Sequence, residues 1–108
     1  MKKTVFCGHS LEAIKQFPEA SRRATGHQLD RVQRGLDPLD WKAMPMIGNG
    51  VREIRIRNIG QYRVIYVATH YSSVYVLHAF QKKSQKTKRQ DIQAARSAFR
   101  QLGKRNLL

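Results

Sequence analysis

Residues 51–83 read VREIRIRNIGQYRVIYVATHYSSVYVLHAFQKK, and the folding of this stretch decides the rest. In VREIRIR, Ile54 and Ile56 alternate with Glu53, Arg55 and Arg57, the period-2 pattern of a strand with one oily and one charged face, with Arg52 at the end of the oily set. Asn58-Ile59-Gly60-Gln61 punctuates as a turn. YRVIYVATH, residues 62–70, is rich in β-branched and aromatic residues and reads as a central strand whose only full charge is Arg63. A second turn is expected at 70–73, followed by SVYVLHAFQ as a third strand with His78 near its end. Short turns favour an antiparallel meander. The expectation is a small sheet with one face for the core and one cationic face for chemistry.

Working outward, KTVFCG at 3–8 predicts a first strand closed by Gly8, and Ser10 a helix N-cap ahead of Leu11 and Ile14. Pro18 ends that short helix and opens a second over 19–35, with Ala24, Leu29 and Val32 as its apolar stripe and Gly35 as its stop. These two form a helical hairpin on the sheet. Residues 36–50, LDPLDWKAMPMIGNG, contain two prolines and two glycines and read as a long surface connection pinned by Trp41, Met44 and Met46. Beyond the strands, KKSQKTKR at 82–89 carries five positive charges and no negative ones. A last helix is expected over 90–102, where Ile92, Ala95, Phe99 and Leu102 keep helical spacing and Gly103 stops it; the tail KRNLL is expected to fray. The fold class is α+β, order β-α-α-β-β-β-α, a helical hairpin and a C-terminal helix on an antiparallel-rich sheet.

The 108 residues suit one domain over 1–108, and 41% hydrophobic content suffices for one core. A net charge of +14 makes a polyanion the favoured partner. The charge is lopsided: residues 1–50 hold 8 Lys/Arg and 5 Asp/Glu, whereas 51–108 hold 13 and 2, so the excess belongs to the strand block and the C-terminal segment after it. Cys7 stands alone, which rules out an internal disulfide and fits a reducing compartment; a buried structural thiol is the favoured role. The apolar run after Met1 is too short for a signal peptide, and no stretch approaches the ~20 apolar residues of a membrane span, so a soluble cytoplasmic protein is expected.

Taken as chemistry, Arg55, Arg57, Arg63, Lys82 and Lys83 can neutralise phosphates, with Lys86, Lys88 and Arg89 extending the basic surface. Tyr62, Tyr66 or Phe80 could stack on bases, though core packing is the plainer role for each tyrosine. RNA is cleaved without a metal when its 2′-OH attacks the adjacent phosphate, given a proton acceptor, a proton donor and cations on the phosphate. Glu53 and His78 are the proton-handling candidates, and Arg55, Arg57, Arg63 and Lys82 the cations. A structural histidine and a salt-bridged glutamate are the competing readings. The histidines at 9, 27, 70 and 78 lack metal-ligand spacing, and no phosphate-binding glycine loop occurs, so neither metal nor cofactor is expected.

VREIRIR, QYRVIYVA and above all VLHAFQKKSQKT leading into an Ala-rich helix resemble the phage-derived, HigB-like branch of the RelE/ParE toxin superfamily. FPEASRRATGHQLDRVQRGLDPLDWKAMP is similar to that branch's helical hairpin and connection, so the likeness covers nearly the whole chain. The resemblance implies a RelE-like fold and the toxin of a type II toxin–antitoxin pair. It further implies a helix-turn-helix antitoxin bound in a hetero-oligomer, and an endoribonuclease that cuts mRNA in the ribosomal A site, against rRNA. On the ParE side it implies a DNA gyrase inhibitor instead; a non-catalytic nucleic-acid-binding domain is the third alternative. Arg63, within a GxYR-like segment, matches the arginine RelE-type enzymes place on the scissile phosphate, and Arg55 and Arg57 match basic positions on the preceding strand. Lys82 stands roughly where RelE has a further arginine and lacks the bidentate fork; the C-terminal catalytic tyrosine has no clear match. The nuclease reading requires Arg55, Arg57 and Arg63 to share one surface.

Overall fold

A computed structural model describes residues 1–69 and 72–108 of the chain. The elements are β1 (Lys3–Phe6), α1 (Ser10–Lys15), α2 (Glu19–Gln33), β2 (Trp41–Ala43), β3 (Val51–Asn58), β4 (Gly60–Val67), β5 (Ser73–Gln81) and α3 (Arg89–Lys104). Five strands form one sheet in the order β1-β5-β4-β3-β2. The β3–β4–β5 meander is antiparallel, whereas β1 joins β5 in parallel, Lys3 opposite Ser73. Both edge strands are short, which limits their use as templates for another chain. The expected turn at 70–73 lies partly outside the described residues.

The element that local patterning did not reveal is β2: the connection at 36–50 contains a strand, Trp41–Ala43, paired with Ile54, Glu53 and Arg52 of β3. Met44 is buried as expected, but Met46 is exposed. Trp41 lies under the guanidinium of Arg52, whose carbon is 3.8 Å from the ring centroid.

The expected division into one oily and one cationic face is corrected. Both faces carry apolar clusters. On the first, Ile54, Ile56, Val64, Tyr66 and Val76 meet Ile14, Phe17, Leu29 and Val32 of the hairpin α1–α2. On the second, Val51, Ile65, Val67, Tyr75 and Leu77 meet Ala95, Phe99 and Leu102 of α3, with Met44 and Ile47 alongside. The reason lies in β4, buried without alternation from Tyr62 to Val67, as befits a strand covered on both sides. A bulge assists: Ile65 pairs with His78 but Tyr66 with Val76, so Leu77 is the extra residue on β5. Leu77 and His78 thereby both face α3, one packing in its cluster and the other reaching Asp91.

Helix ends follow the chain's own chemistry with two corrections. Gly35, at φ 82°, ends α2: its N–H reaches the Val32 carbonyl and that of Leu36 reaches Arg31, a Schellman pair. Ser10 is not an N-cap; it is the first residue of α1, and its buried hydroxyl donates to the Val76 carbonyl. Nor does Gly103 stop α3. The helix runs to Lys104, and Asn106, left-handed at φ 55°, closes it as the Leu107 N–H bonds the Leu102 carbonyl. Leu107 packs on the second cluster, so the C-terminal tail is capped rather than frayed.

Candidate nucleic-acid interface

Beyond the end of the second apolar cluster, the same sheet face turns charged. Pleating puts Glu53, Arg55 and Arg57 of β3 beside Gln61 and Arg63 of β4, with Arg55 directly opposite Arg63 and Arg57 opposite Gln61. Phe80 of β5 lies across from Arg63. Arg55, Arg57 and Arg63 therefore share one surface. Cations directly opposed across strands repel, and two carboxylates offset this. Asp40, just before β2, lies 3.4 Å from Arg57 and 3.9 Å from Arg55; Glu53 lies 3.5 Å from Arg63 and 4.0 Å from Arg55. The Asp40 carbonyl also accepts the Arg55 N–H at 2.9 Å, which fixes the connection beside the arginines.

Arg63 and Glu53 form the buried heart of this half. They are 5% and 2% exposed, so Arg63 lies deeper than the expected cationic face would place it. Its Nη1 donates to the Tyr62 carbonyl at 3.1 Å and to Gln61 Oε1 at 3.3 Å. Glu53 Oε2 and Arg63 Nε are buried without a hydrogen-bond partner among the described residues. Burial pushes the Arg63 pKa down, and Glu53 pulls it back up. A guanidinium stays charged even so. The two form a buried ion pair whose Glu53 Oε2 and Arg63 Nε have bonding capacity unspent, with Arg63 reaching the neighbouring hollow.

That hollow, of about 460 Å³, is lined by Gln61, Arg63, Lys82, Lys83, Ser84 and Gln85. Lys82 follows β5 directly, and its N–H bonds the Gln61 carbonyl at 2.8 Å, which sets it beside Arg63. Partial desolvation, then the nearby Arg63 charge, lower its pKa from the ordinary lysine value. Lys83, Lys86, Lys88 and Arg89 are set along the loop and the start of α3, and all but Lys83 and Lys86 lie next to or within that helix's first turn.

Other expected site residues lie elsewhere. Tyr66 is 2% exposed on the opposite face and is removed from the stacking candidates. Burial raises its pKa, and its hydrogen bond with Arg52 opposes the rise. Tyr62 is buried there as well, its ring 4.7 Å from Phe17. Phe80 alone of the three stands beside the arginines. His78 does not line the hollow. Its Nε2 is 2.8 Å from Asp91 Oδ1 in the first turn of α3, and its ring stacks on Phe80 at 5.5 Å. The pair fastens α3 to β5 across the basic loop.

Sequence reasoning missed Asp40 and Asp91. Asp40 gains its role only once β2 is recognised, and Asp91 only once α3 is seen crossing β5; neither has a local signal beyond being an acid among bases. Among the described residues no three His, Cys, Asp or Glu side chains converge as metal ligands, and no helix is long and apolar enough to cross a membrane.

No curated protein matches the chain. The model of one family, phage derived protein Gp49-like (DUF891), matches residues 12–100, from α1 through most of α3. Strands β2 to β5 with their arginines and the basic loop lie inside that span, and the chain belongs to the phage-derived Gp49-like family.

Proposed function

We propose that the chain is the toxin of a type II toxin–antitoxin pair and that it cuts mRNA in the ribosomal A site, in the cytoplasm. The observation that carries this reading is the set Arg55, Arg57, Arg63 and Lys82 on one sheet half, against two carboxylates, beside a hollow open to a polyanion. The Gp49-like family, a family of RelE-like toxins, supports the toxin class.

In this reading the ribose 2′-oxygen attacks the adjacent phosphorus and the bond to the 5′-oxygen breaks. The products are a 2′,3′-cyclic phosphate and a 5′-hydroxyl. Arg63 and Lys82 hold the equatorial oxygens as charge builds, and Arg55 and Arg57 seat the flanking phosphates. Lys82, its pKa lowered, is better matched than an ordinary lysine to protonate the leaving 5′-oxygen. Glu53 touches Arg63 and Arg55 and takes the 2′ proton once substrate draws those arginines outward. His78 acts through its hold on Asp91. A helix-turn-helix antitoxin keeps the toxin inactive as a hetero-oligomer.

The test is induction of the chain alone in bacteria, with primer extension on abundant transcripts. Growth arrest with mRNA cut at codons, ending in cyclic phosphate, is expected. Arg63→Lys, which keeps the charge and loses the fork, should reduce cleavage steeply in protein whose circular dichroism shows it folded. Arrest with intact mRNA and a DNA-damage response would select gyrase inhibition instead. The burial of Glu53 against Arg63, which leaves no exposed carboxylate in the hollow, is the observation on that side. Harmless expression with salt-sensitive RNA binding would select a non-catalytic binder.

A further inference from the structure

A second cavity is larger than the basic hollow. A groove of about 800 Å³ lies on the α3 side of the sheet, between that helix and edge strand β1. Its floor is Val5, Tyr75 and Leu77, and its wall is Ala94, Ala98 and Leu102 of α3. The cause is a deficit of helices. Five strands ~4.8 Å apart span roughly 19 Å, room for two helices of ~10 Å side by side. The first face receives two, α1 and α2. The second receives α3, and the strip between α3 and the β1 edge is the groove.

We propose that this groove seats an acidic, amphipathic helix of a partner protein. Chemistry selects the occupant. Lys3, His9 and Arg105 are among the lining residues and no Asp or Glu is, so the rim attracts acidic side chains above an aliphatic floor. The wall presents Ala94, Ser97, Ala98 and Gln101, at helical spacing and small at the centre, which lets a second helix approach α3 closely. The stretch Ala94–Arg105 measures ~17 Å at 1.5 Å per residue, so an occupant of about 12 residues matches it. A nucleic acid is disfavoured because its phosphates would lie on aliphatic surface. A second copy is disfavoured because two chains of net charge +14 repel. The inference is independent of the RNA reading, which rests on the other half of this face.

The experiment uses the full chain and a fluorescent synthetic peptide of about 12 residues, with Leu and Ala on one helical face and Glu on the other. A scrambled isomer of equal charge is the control. Anisotropy at about 150 mM salt, where the Debye length is about 8 Å, limits non-specific attraction. The patterned peptide should bind at least roughly tenfold tighter than the scrambled one, and gain helical circular dichroism on binding. Ser97→Trp, on an exposed position of the wall, should weaken it at least about tenfold and leave RNA binding unchanged. Ala94→Phe serves as a second block if Ser97→Trp does not fold. Equal binding of the two peptides, or no effect of a folded blocking variant, would overturn the proposal. So would displacement of the peptide by a short RNA in a manner sensitive to Arg105→Glu, or self-association of the chain that Ser97→Trp abolishes.

Discussion

The two halves of the α3-facing surface are made by the same two strands with the same alternation, yet they meet opposite fates. At one end Val51, Ile65 and Val67 are sealed by α3, Met44 and Ile47. At the other, Arg55, Arg57 and Arg63 stand where that cover stops, balanced by Asp40 and Glu53. The pleat decides which residues share a face. The covering layer decides whether that face becomes core or site. The difference places the buried ion pair Glu53–Arg63 on the border, one residue pair from Ile65, which lies opposite Glu53.

The largest expected effect breaks the contrast at that border. Arg63→Ala leaves the buried Glu53 carboxylate with only the more distant Arg55, at 4.0 Å, and should cost about 3–5 kcal/mol in urea unfolding. Adding Glu53→Ala should recover part of this, and a loss near zero would mean the pair belongs to the open half after all. Next, Ile65→Val tests the sealed half. Removing one buried methylene should cost about 0.5–1.5 kcal/mol and leave RNA binding intact. Arg57→Ala tests the open half from the other side. Its pair with Asp40 is exposed, so stability should move by less than about 1 kcal/mol. RNA affinity should nevertheless fall, with the logarithmic salt slope shallower by about 0.7–0.9 per lost phosphate contact.

The smallest effect concerns pH. Lys82 has a pKa below the ordinary lysine value, so its charge is lost earlier as pH rises. The alkaline limb of RNA binding should therefore fall below the usual lysine range, and Lys82→Arg should move it upward. The sign for stability is opposite. Between the lowered folded pKa and the ordinary value the unfolded chain binds more protons, so Lys82's contribution rises with pH across that window. Titration of binding and of unfolding in wild type and Lys82→Arg separates the two.

The meander, the hairpin of helices and the amphipathic last helix were legible because each is written in local periodicity. So was the common surface of the three arginines, since alternation along VREIRIR and one hairpin register determine it. What was not legible depends on long-range packing. The depth of Arg63 follows from Glu53 lying across the hairpin and from burial on both sides of β4. The removal of Tyr66 to the far face follows from the same pleat that exposes Arg57, and it could have been counted from the register. Trp41–Ala43 is too short to show a period, and proline and glycine nearby suggest a loop. The pairing of His78 with Asp91 needs the bulge at Leu77, which no local pattern announces.

The parallel seam between β1 and β5 has a consequence for synthesis. Lys3 finds Ser73 and Phe6 finds Val76, so β1 waits for β5, with the hairpin of helices and three strands made in between, before its pairing can close. Such distant contacts slow folding, and a helical connection cannot shortcut them. The enclosing layer α3 emerges later still. The arginines of β3 and β4 therefore reach their assembled surface only after β5 and α3 have followed them out of the ribosome, a delay between making those side chains and setting them in one fold.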